Sequence, residues 1–374
     1  MNFMEHDFTP QIFQILQGSF GDDGIAIYER SPLLQYLNVK TRSASRGSKS
    51  RGSFANIYAV YVLVENYLKN NFDKKKNYDE FEGARFTDLL ARQRQLPFGS
   101  KLQNHALNSR MNEEFKKYFP QVEFVPIMRD VQTNRYWINE NLLKITDKRK
   151  TVNIAKAVIA IIDRYIATKQ SAFRTFIKTC EKLQAITDEN DVAVSEFIES
   201  LLSPNSDARI FEIVSYAILR YYYYDQVVYF GFDLDNIQEE NLLLFKTGRT
   251  NANDGGIDFV MRPLGRFFQV TETLEVKKYF LDIDKIEHFP ISFVIKSDDK
   301  VELLLSRLQE GAKKQYGIKS IVEKYMGCIE EVINIPLLLE RFEIAKSQGH
   351  LRNILDEVVS QSKVEFNFND FESE

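Results

Sequence analysis

The residues best suited to chemistry lie in the run Asp-Gly-Gly-Ile-Asp, residues 254–258, and in the apolar stretch at residues 267–272. The two glycines allow a sharp backbone turn, and Asp258 then opens an apolar segment. Asp258 offers a carboxylate oxygen and Gln269 a carbonyl oxygen, which suit magnesium, an ion that keeps several waters and also binds phosphate. Such a metal activates a water molecule and offsets charge that develops on a phosphate. The pattern therefore predicts a magnesium site that acts on a phosphodiester.

Two neighbouring strands are needed to bring these side chains together. Residues 257–261 and 266–271 have strand-like sequences, and a turn containing Pro and Gly joins them. Because side chains alternate along a strand, Gln269 and Glu272 are expected on opposite faces. If the two strands pair, Asp258 and Gln269 meet at the strand ends.

This segment resembles the PD-(D/E)XK nuclease superfamily, in particular type II restriction endonucleases and Mrr-like enzymes. Those families carry Phe-Glu on an early helix, a loop ending in Asp-Gly-Gly-Ile-Asp, and a strand with Gln-x-Lys or Glu-x-Lys. This chain has related motifs in the same order, at Phe211-Glu212, at residues 254–258 and at Gln269-Val270-Thr271. The resemblance covers roughly residues 206–296. It implies that Asp258 is the main metal ligand, Gln269 the second ligand and Glu212 an auxiliary acid.

Thr271 stands where the family pattern has a lysine, and threonine cannot supply the charge that would contact the water or the phosphate. Our preferred replacement is Lys277 or Lys278, reaching back from the following helix, because residues 267–272 have the stronger strand pattern. Three alternatives stay open: Arg262 from the neighbouring strand, Glu275-Val276-Lys277 as the Glu-x-Lys motif itself, and a site without activity. Glu272 is a further candidate ligand if the strand bulges.

Three locally basic segments are candidates for DNA contact, although the net charge of the chain is −4. Residues 41–53 combine cations with Ser and Gly, which suits a loop that follows a phosphate backbone. Residues 92–110 contain Arg, Asn and Gln, which read base edges in the major groove. Residues 246–253 immediately precede the predicted metal loop. The candidate contacts are Arg42, Arg46, Lys49, Arg51, Arg92, Arg94, Lys101, Gln103, Asn104, Arg110, Lys246, Arg249, Asn251 and Asn253.

Length and composition predict a two-domain α/β protein. The 374 residues are 44% hydrophobic and 27% charged, as in ordinary globular proteins. A Ser/Pro/Asn cluster at residues 203–206 divides a mainly helical region, residues 1–203, from residues 204–374, where helices and strands alternate. For the second region the resemblance implies a restriction-endonuclease-like core, with a central mixed sheet flanked by helices. Helices are predicted near residues 53–67, 151–167, 172–183, 206–221, 274–287, 301–315 and 336–347, and further strands at 226–232 and 291–295.

These features predict a magnesium-dependent type II restriction endonuclease that hydrolyses double-stranded DNA at a specific sequence. The resemblance implies a homodimer, matched to palindromic sites, and a cognate DNA methyltransferase. Two cysteines without a disulfide or zinc pattern favour the cytoplasm, and the apolar runs are too short for a membrane span. Two other functions stay open. The chain could be a DNA-binding or defence protein that has lost cleavage, or a nuclease for RNA or modified DNA.

Overall fold

The computed structural model describes residues 5–42, 50–75, 77–100, 102–147, 150–185, 191–204, 206–247, 257–272 and 274–366. The chain divides into two compact units, Met1–Thr175 and Phe176–Glu374. This boundary precedes the cluster at residues 203–206 where the sequence analysis placed it. One continuous helix, Ala155–Ala185, runs through residues 175 and 176.

The first unit is mainly helical and also contains short strands. Its helices are α1 (Thr9–Phe20), α2 (Gly24–Arg30), α3 (Pro32–Thr41), α4 (Ser50–Lys69), α5 (Phe86–Gln95), α6 (Met111–Tyr118) and α7 (Ala155–Ala185). Its strands are β1 (Ala84–Arg85), β2 (Ile127–Asp130), β3 (Arg135–Ile138), β4 (Lys144–Asp147) and β5 (Lys150–Asn153). β1, β3 and β2 form one small antiparallel sheet, and β4 pairs with β5. The separate helices predicted at 151–167 and 172–183 are one helix, α7, which starts after β5.

The core of the first unit is rich in aromatic side chains. Nearly every residue of α4 from Phe54 to Val64 is buried, because this helix is apolar around most of its circumference. Tyr36, Phe115 and Tyr165 are fully buried in the same core. α4 begins at Ser50, three residues before the start predicted near residue 53.

The second unit contains the remaining elements. Its helices are α8 (Asp191–Leu201), α9 (Ala208–Tyr224), α10 (Val276–Lys285), α11 (Val301–Tyr316), α12 (Lys319–Gly327), α13 (Ile335–Ser347) and α14 (Leu351–Phe366). Its strands are β6 (Val227–Phe230), β7 (Gln238–Asn241), β8 (Leu243–Lys246), β9 (Phe259–Arg262), β10 (Arg266–Thr271), β11 (Ile291–Ile295) and β12 (Ile329–Ile333). The predicted α/β class is therefore confirmed for this unit. β7, β8, β12, α12 and α14 were not predicted.

A mixed five-stranded sheet of order β12-β11-β10-β9-β8 organises the second unit. β8, β9 and β10 form an antiparallel meander, whereas β10, β11 and β12 run parallel to one another. The tight connection between β9 and β10 places Gly265 at a φ of 67°, a left-handed conformation that glycine adopts without steric cost. β6 and β7 form a separate antiparallel hairpin.

Helices cover both faces of this sheet. On one face, Tyr216 and Tyr223 of α9 contact the rings of Phe259 and Phe268. On the other face, Tyr279 of α10 contacts Phe293 of β11, and α11 adds to the same core. Among the described residues, no helix is both long and apolar enough to cross a membrane.

Candidate functional site

Charged side chains cluster at one end of the five-stranded sheet, where most of its strands terminate. β8 ends at Lys246, β9 begins after Asp258, β10 ends before Glu272, and β11 ends before Lys296. Because β9 runs antiparallel to β8 and β10, while β11 runs parallel to β10, these four residues lie at the same edge. We call it the carboxyl edge, since β8, β10, β11 and β12 all end there.

Asp258 is fixed in place by both neighbouring strands. Its N–H donates to the main-chain oxygen of Phe268 at 2.9 Å, and its main-chain oxygen accepts from the N–H of Thr247 at 3.0 Å. Its Oδ2 atom accepts from the N–H of Val270 at 2.7 Å. The carboxylate therefore lies beside β10, as predicted from the strand pairing.

Gln269 binds the second peptide group of Val270, the one that contains its carbonyl. Its Nε2 donates to the main-chain oxygen of Val270 at 3.1 Å. That carbonyl can only accept, so the amide orientation is fixed and Oε1 is the remaining atom. Gln269 is buried, and among the described residues its Oε1 has no hydrogen-bond partner. Asp258 and Gln269 therefore each bind one of the two peptide groups of Val270.

Glu212 lies on α9, above the end of β8, and is buried. The Asp207 side chain caps this helix by accepting from the N–H of Arg209 at 2.9 Å. Glu212 forms an ion pair with Lys246, in which the Oε1 atom of the glutamate lies 2.9 Å from the Nζ atom of the lysine. Glu212 is therefore not a surface residue of an amphipathic helix. Lys246, predicted as a DNA contact, has its ammonium group in this buried pair.

A second ion pair joins Glu272 to Lys296, a residue that the sequence analysis did not select. The Nζ of Lys296 lies 2.9 Å from the Oε1 of Glu272, and the lysine side chain is only 2% exposed against 21% for the glutamate. The same Nζ donates to the main-chain oxygen of Ser206 and lies 5.8 Å from the ring centre of Phe211. A charged residue directly after the wholly buried strand Ile291–Ile295 was the signal that could have identified it.

Thr271, the position that lacks the lysine, lies on the same face of the sheet as Gln269 and on the opposite face from Glu272. Thr271 is buried beside Tyr279 of α10. The pKa of the Tyr279 hydroxyl is raised, because the effect of burial is larger than the opposing effect of the Thr271 side chain. Glu272 points to the α9 side, where it meets Lys296. A lysine side chain at position 271 would enter the core below α10, which explains why a small polar residue stands there.

The replacements considered for that lysine have a different arrangement from the one predicted. Glu275 is the N-cap of α10, so Glu275-Val276-Lys277 begins a helix and cannot be a strand motif. Lys277 and Lys278 are exposed in the first turn of that helix. Arg262 lies at the opposite end of β9, about 14 Å along the strand from Asp258. Lys296 is the lysine that the fold brings to the end of β10.

The predicted DNA contacts differ in their environment, and several of them lie outside the described residues. Arg92 forms a two-point ion pair with Glu65, with nitrogen–oxygen distances of 2.8 and 2.9 Å, and Arg94 donates to the main-chain oxygen of Leu102 at 3.1 Å. Arg42, Gln103, Asn104 and Arg110 are exposed. The candidates outside the described residues are Arg46, Lys49, Lys101, Arg249, Asn251 and Asn253. Arg51 lies in α4, and its side chain is also outside the described part.

The described residues contain no group of three or more His, Cys, Asp or Glu side chains placed to hold a metal ion. Asp254 and the two glycines of the predicted metal loop lie outside that part of the chain. A metal site at the carboxyl edge would therefore rest on Asp258 with Gln269. No family model, curated protein or solved structure matches this chain.

Proposed function

We propose that the carboxyl edge is the catalytic centre of a magnesium-dependent nuclease that cleaves double-stranded DNA at a specific sequence. The second unit would then be a restriction-endonuclease-like core, and the first unit would be the DNA-recognition region. The observation that carries the proposal is the convergence of Asp258 and Gln269 on the two peptide groups of Val270. Their order along the chain, after Glu212, is the order of the motifs in PD-(D/E)XK nucleases.

The donor set fits magnesium. Asp258 supplies a carboxylate, and Gln269 supplies a buried carbonyl oxygen that has no hydrogen-bond partner among the described residues. Leaving such an acceptor unsatisfied costs about 1–3 kcal/mol, and a bound cation would remove that penalty. Asp258 and Gln269 would hold the ion, with waters and a DNA phosphate completing its shell. When bound, magnesium lowers the pKa of an attacking water and offsets negative charge on the phosphate.

Neighbouring groups fix Asp258 and hold the two glutamates at the carboxyl edge. The N–H of Val270 holds one oxygen of Asp258, so the rotation of its carboxylate is restricted. Lys296 holds the Glu272 carboxylate at the end of β10, and Lys246 holds Glu212 above β8. At 2% exposure Lys296 does not reach a substrate, so we assign it a positioning role through Glu272 in place of the strand lysine.

DNA recognition is proposed for the exposed polar groups of the first unit. Arg110, Gln103 and Asn104 lie in one short segment before α6, and their side chains are the types that read guanine and adenine edges. Arg42 follows α3 and is suited to a phosphate contact. Arg92 and Arg94 support the fold instead. A cognate methyltransferase and a cytoplasmic location belong to the same proposal.

Plasmid cleavage tests the proposed activity. Purified protein with supercoiled plasmid is expected to give discrete linear fragments in magnesium and no cleavage when EDTA removes the metal. Duplex binding without cleavage would instead support an inactive DNA-binding protein. Cleavage confined to RNA or to modified DNA would support a nuclease with a different substrate. If the protein neither cleaves nor binds any of these nucleic acids, the proposal is refuted.

Gln269→Leu tests the second ligand separately. Because the change removes the carbonyl oxygen but keeps the buried volume, the magnesium concentration for half-maximal cleavage is expected to rise by about 10-fold or more. The free energy of unfolding should change by no more than about 1 kcal/mol, since an unsatisfied polar atom is removed together with one hydrogen bond. The two quantities are measured by metal titration of the cleavage rate and by urea denaturation. An unchanged magnesium dependence would show that Gln269 is not a ligand.

A further inference from the structure

The hairpin of β6 and β7, residues 227–241, exposes an unusual amount of apolar surface; we call it the hairpin arm. In the described part of the chain its two strands pair only with each other. Phe232 is 97% exposed and Leu234 is 89% exposed. The exposed apolar side chains of the arm are Val227, Tyr229, Phe230, Phe232, Leu234 and Ile237.

A partner that covered these side chains would gain favourable free energy of binding from their burial. Burying a fully exposed side chain such as Phe or Leu contributes about 1.5–3 kcal/mol, and the arm exposes three apolar side chains on β6 and three in the turn that follows. A two-stranded hairpin is also marginally stable in water unless another strand or surface covers it. Contiguous apolar patches of this size mark interaction sites. The arm therefore has the properties of a contact surface.

Charge determines which kind of partner the arm can meet. Residues 221–245 contain no lysine or arginine. The acidic residues of this segment are Asp225, Asp233, Asp235, Glu239 and Glu240. Such a segment repels a phosphate backbone and an anionic lipid surface, because both attract proteins through cationic side chains. The partner is therefore a protein surface.

The two strands of the arm differ in how well they can pair with a copy of themselves. β6 has the sequence Val-Val-Tyr-Phe, whereas β7 has Gln-Glu-Glu-Asn. When a two-fold axis relates two copies, an edge strand that pairs with the same strand of the other copy runs antiparallel to it. For β7 this would bring glutamates together, which is unfavourable, whereas β6 carries no charge. Self-association is thus compatible with the free edge of β6 and not with that of β7.

We propose that the hairpin arm is a dimerisation surface for a second copy of this chain, with the two β6 strands pairing across a two-fold axis into a four-stranded sheet. The area is sufficient. Three of the six exposed side chains are aromatic, a type that buries about 150–250 Å² each, and together with the three aliphatic ones they present on the order of 800 Å². A standard stable interface buries about 800 Å² from each partner. This inference is independent of the proposed nuclease activity.

Sedimentation equilibrium of the full chain without DNA tests the proposal. The wild-type protein is expected to form dimers in a concentration-dependent manner, and more tightly at higher salt, because salt screens repulsion between the acidic residues of the two arms. The double variant Phe232→Ser/Leu234→Ser should raise the dissociation constant by about 100-fold or more. The matched control is Ile318→Ser, an apolar residue with 54% exposure outside the arm, which should leave dimerisation unchanged.

Cysteine substitution tests the geometry of pairing. A residue close to a two-fold axis lies opposite its own mate, so a single cysteine there can form a disulfide between two copies. Val227, Val228, Tyr229 and Phe230 are replaced one at a time; the native Cys180 and Cys328 are buried. At least one β6 position should give a disulfide-linked dimer under oxidising conditions. A monomer at all concentrations and salt levels, or a dimer insensitive to the arm variants, would overturn the proposal.

Discussion

Asp258→Asn is expected to lower the rate of magnesium-dependent DNA cleavage by about a thousandfold or more, while the protein stays folded and binds duplex DNA. Asparagine keeps an oxygen that can accept from the N–H of Val270, so the local hydrogen bond at 2.7 Å survives in a neutral form. It removes the negative charge on which a hard cation depends. The measurement is the single-turnover cleavage rate, together with duplex affinity and the unfolding midpoint.

Two further variants separate the metal-binding role of Asp258 from its structural role. Asp258→Ala removes both the charge and the acceptor, so it should lose stability as well as activity, since the N–H of Val270 would lose its partner. Asp356→Asn changes an exposed carboxylate on α14 and is expected to alter neither property. If Asp258→Asn cleaves DNA at the wild-type rate, Asp258 is not the metal ligand.

Glu272→Gln is expected to lower the free energy of unfolding by about 3 kcal/mol, more than Lys296→Met does. The first change leaves the Lys296 ammonium buried, with 2% exposure, without a counter-charge. The second leaves Glu272, which at 21% exposure can be hydrated, so a loss of about 1 kcal/mol is expected. The double variant should recover most of the loss, because no buried charge is left unpaired. Urea denaturation of the four proteins gives these values.

Cleavage rates of the same variants test the positioning role of Lys296. If Lys296 acts through Glu272, each single variant should reduce the cleavage rate by a similar factor, of about 100-fold, and the double variant should be no worse than either. Glu323→Gln is the stability control, because Glu323 pairs with Lys319 at an exposed position and should change stability by less than about 0.5 kcal/mol. Normal cleavage by Lys296→Met would exclude Lys296 from the mechanism, whatever its effect on stability.

Local sequence patterns were sufficient for the central elements of the second unit. The strands β10 and β11 and the helix α9 follow from short-range sequence patterns, and each lies close to where it was predicted. The neighbouring positions of Asp258 and Gln269 also followed, because a short turn between two strands leaves little freedom in their pairing. These predictions needed no information about distant parts of the chain.

Features that depend on long-range pairing were missed. Lys296 lies level with Glu272 only because β10 and β11 run parallel with Thr271 opposite Ile295. That register is set by packing across a whole helical connection, and no local pattern encodes it. Similarly, nothing near Arg92 in the sequence indicates that Glu65 binds its guanidinium group. A basic segment predicted to contact DNA therefore contains residues that are already used within the fold.

The two ion pairs balance the charges of the two glutamates at the carboxyl edge. Lys246 and Lys296 already neutralise Glu212 and Glu272, so this part of the edge carries no net charge before any cation or anion arrives. A divalent ion that draws on either glutamate must compete with an ammonium group. A cation held by Asp258 and Gln269, as we propose, would not need to displace either lysine. Metal binding would therefore leave both buried ion pairs, and their contribution to stability, unchanged.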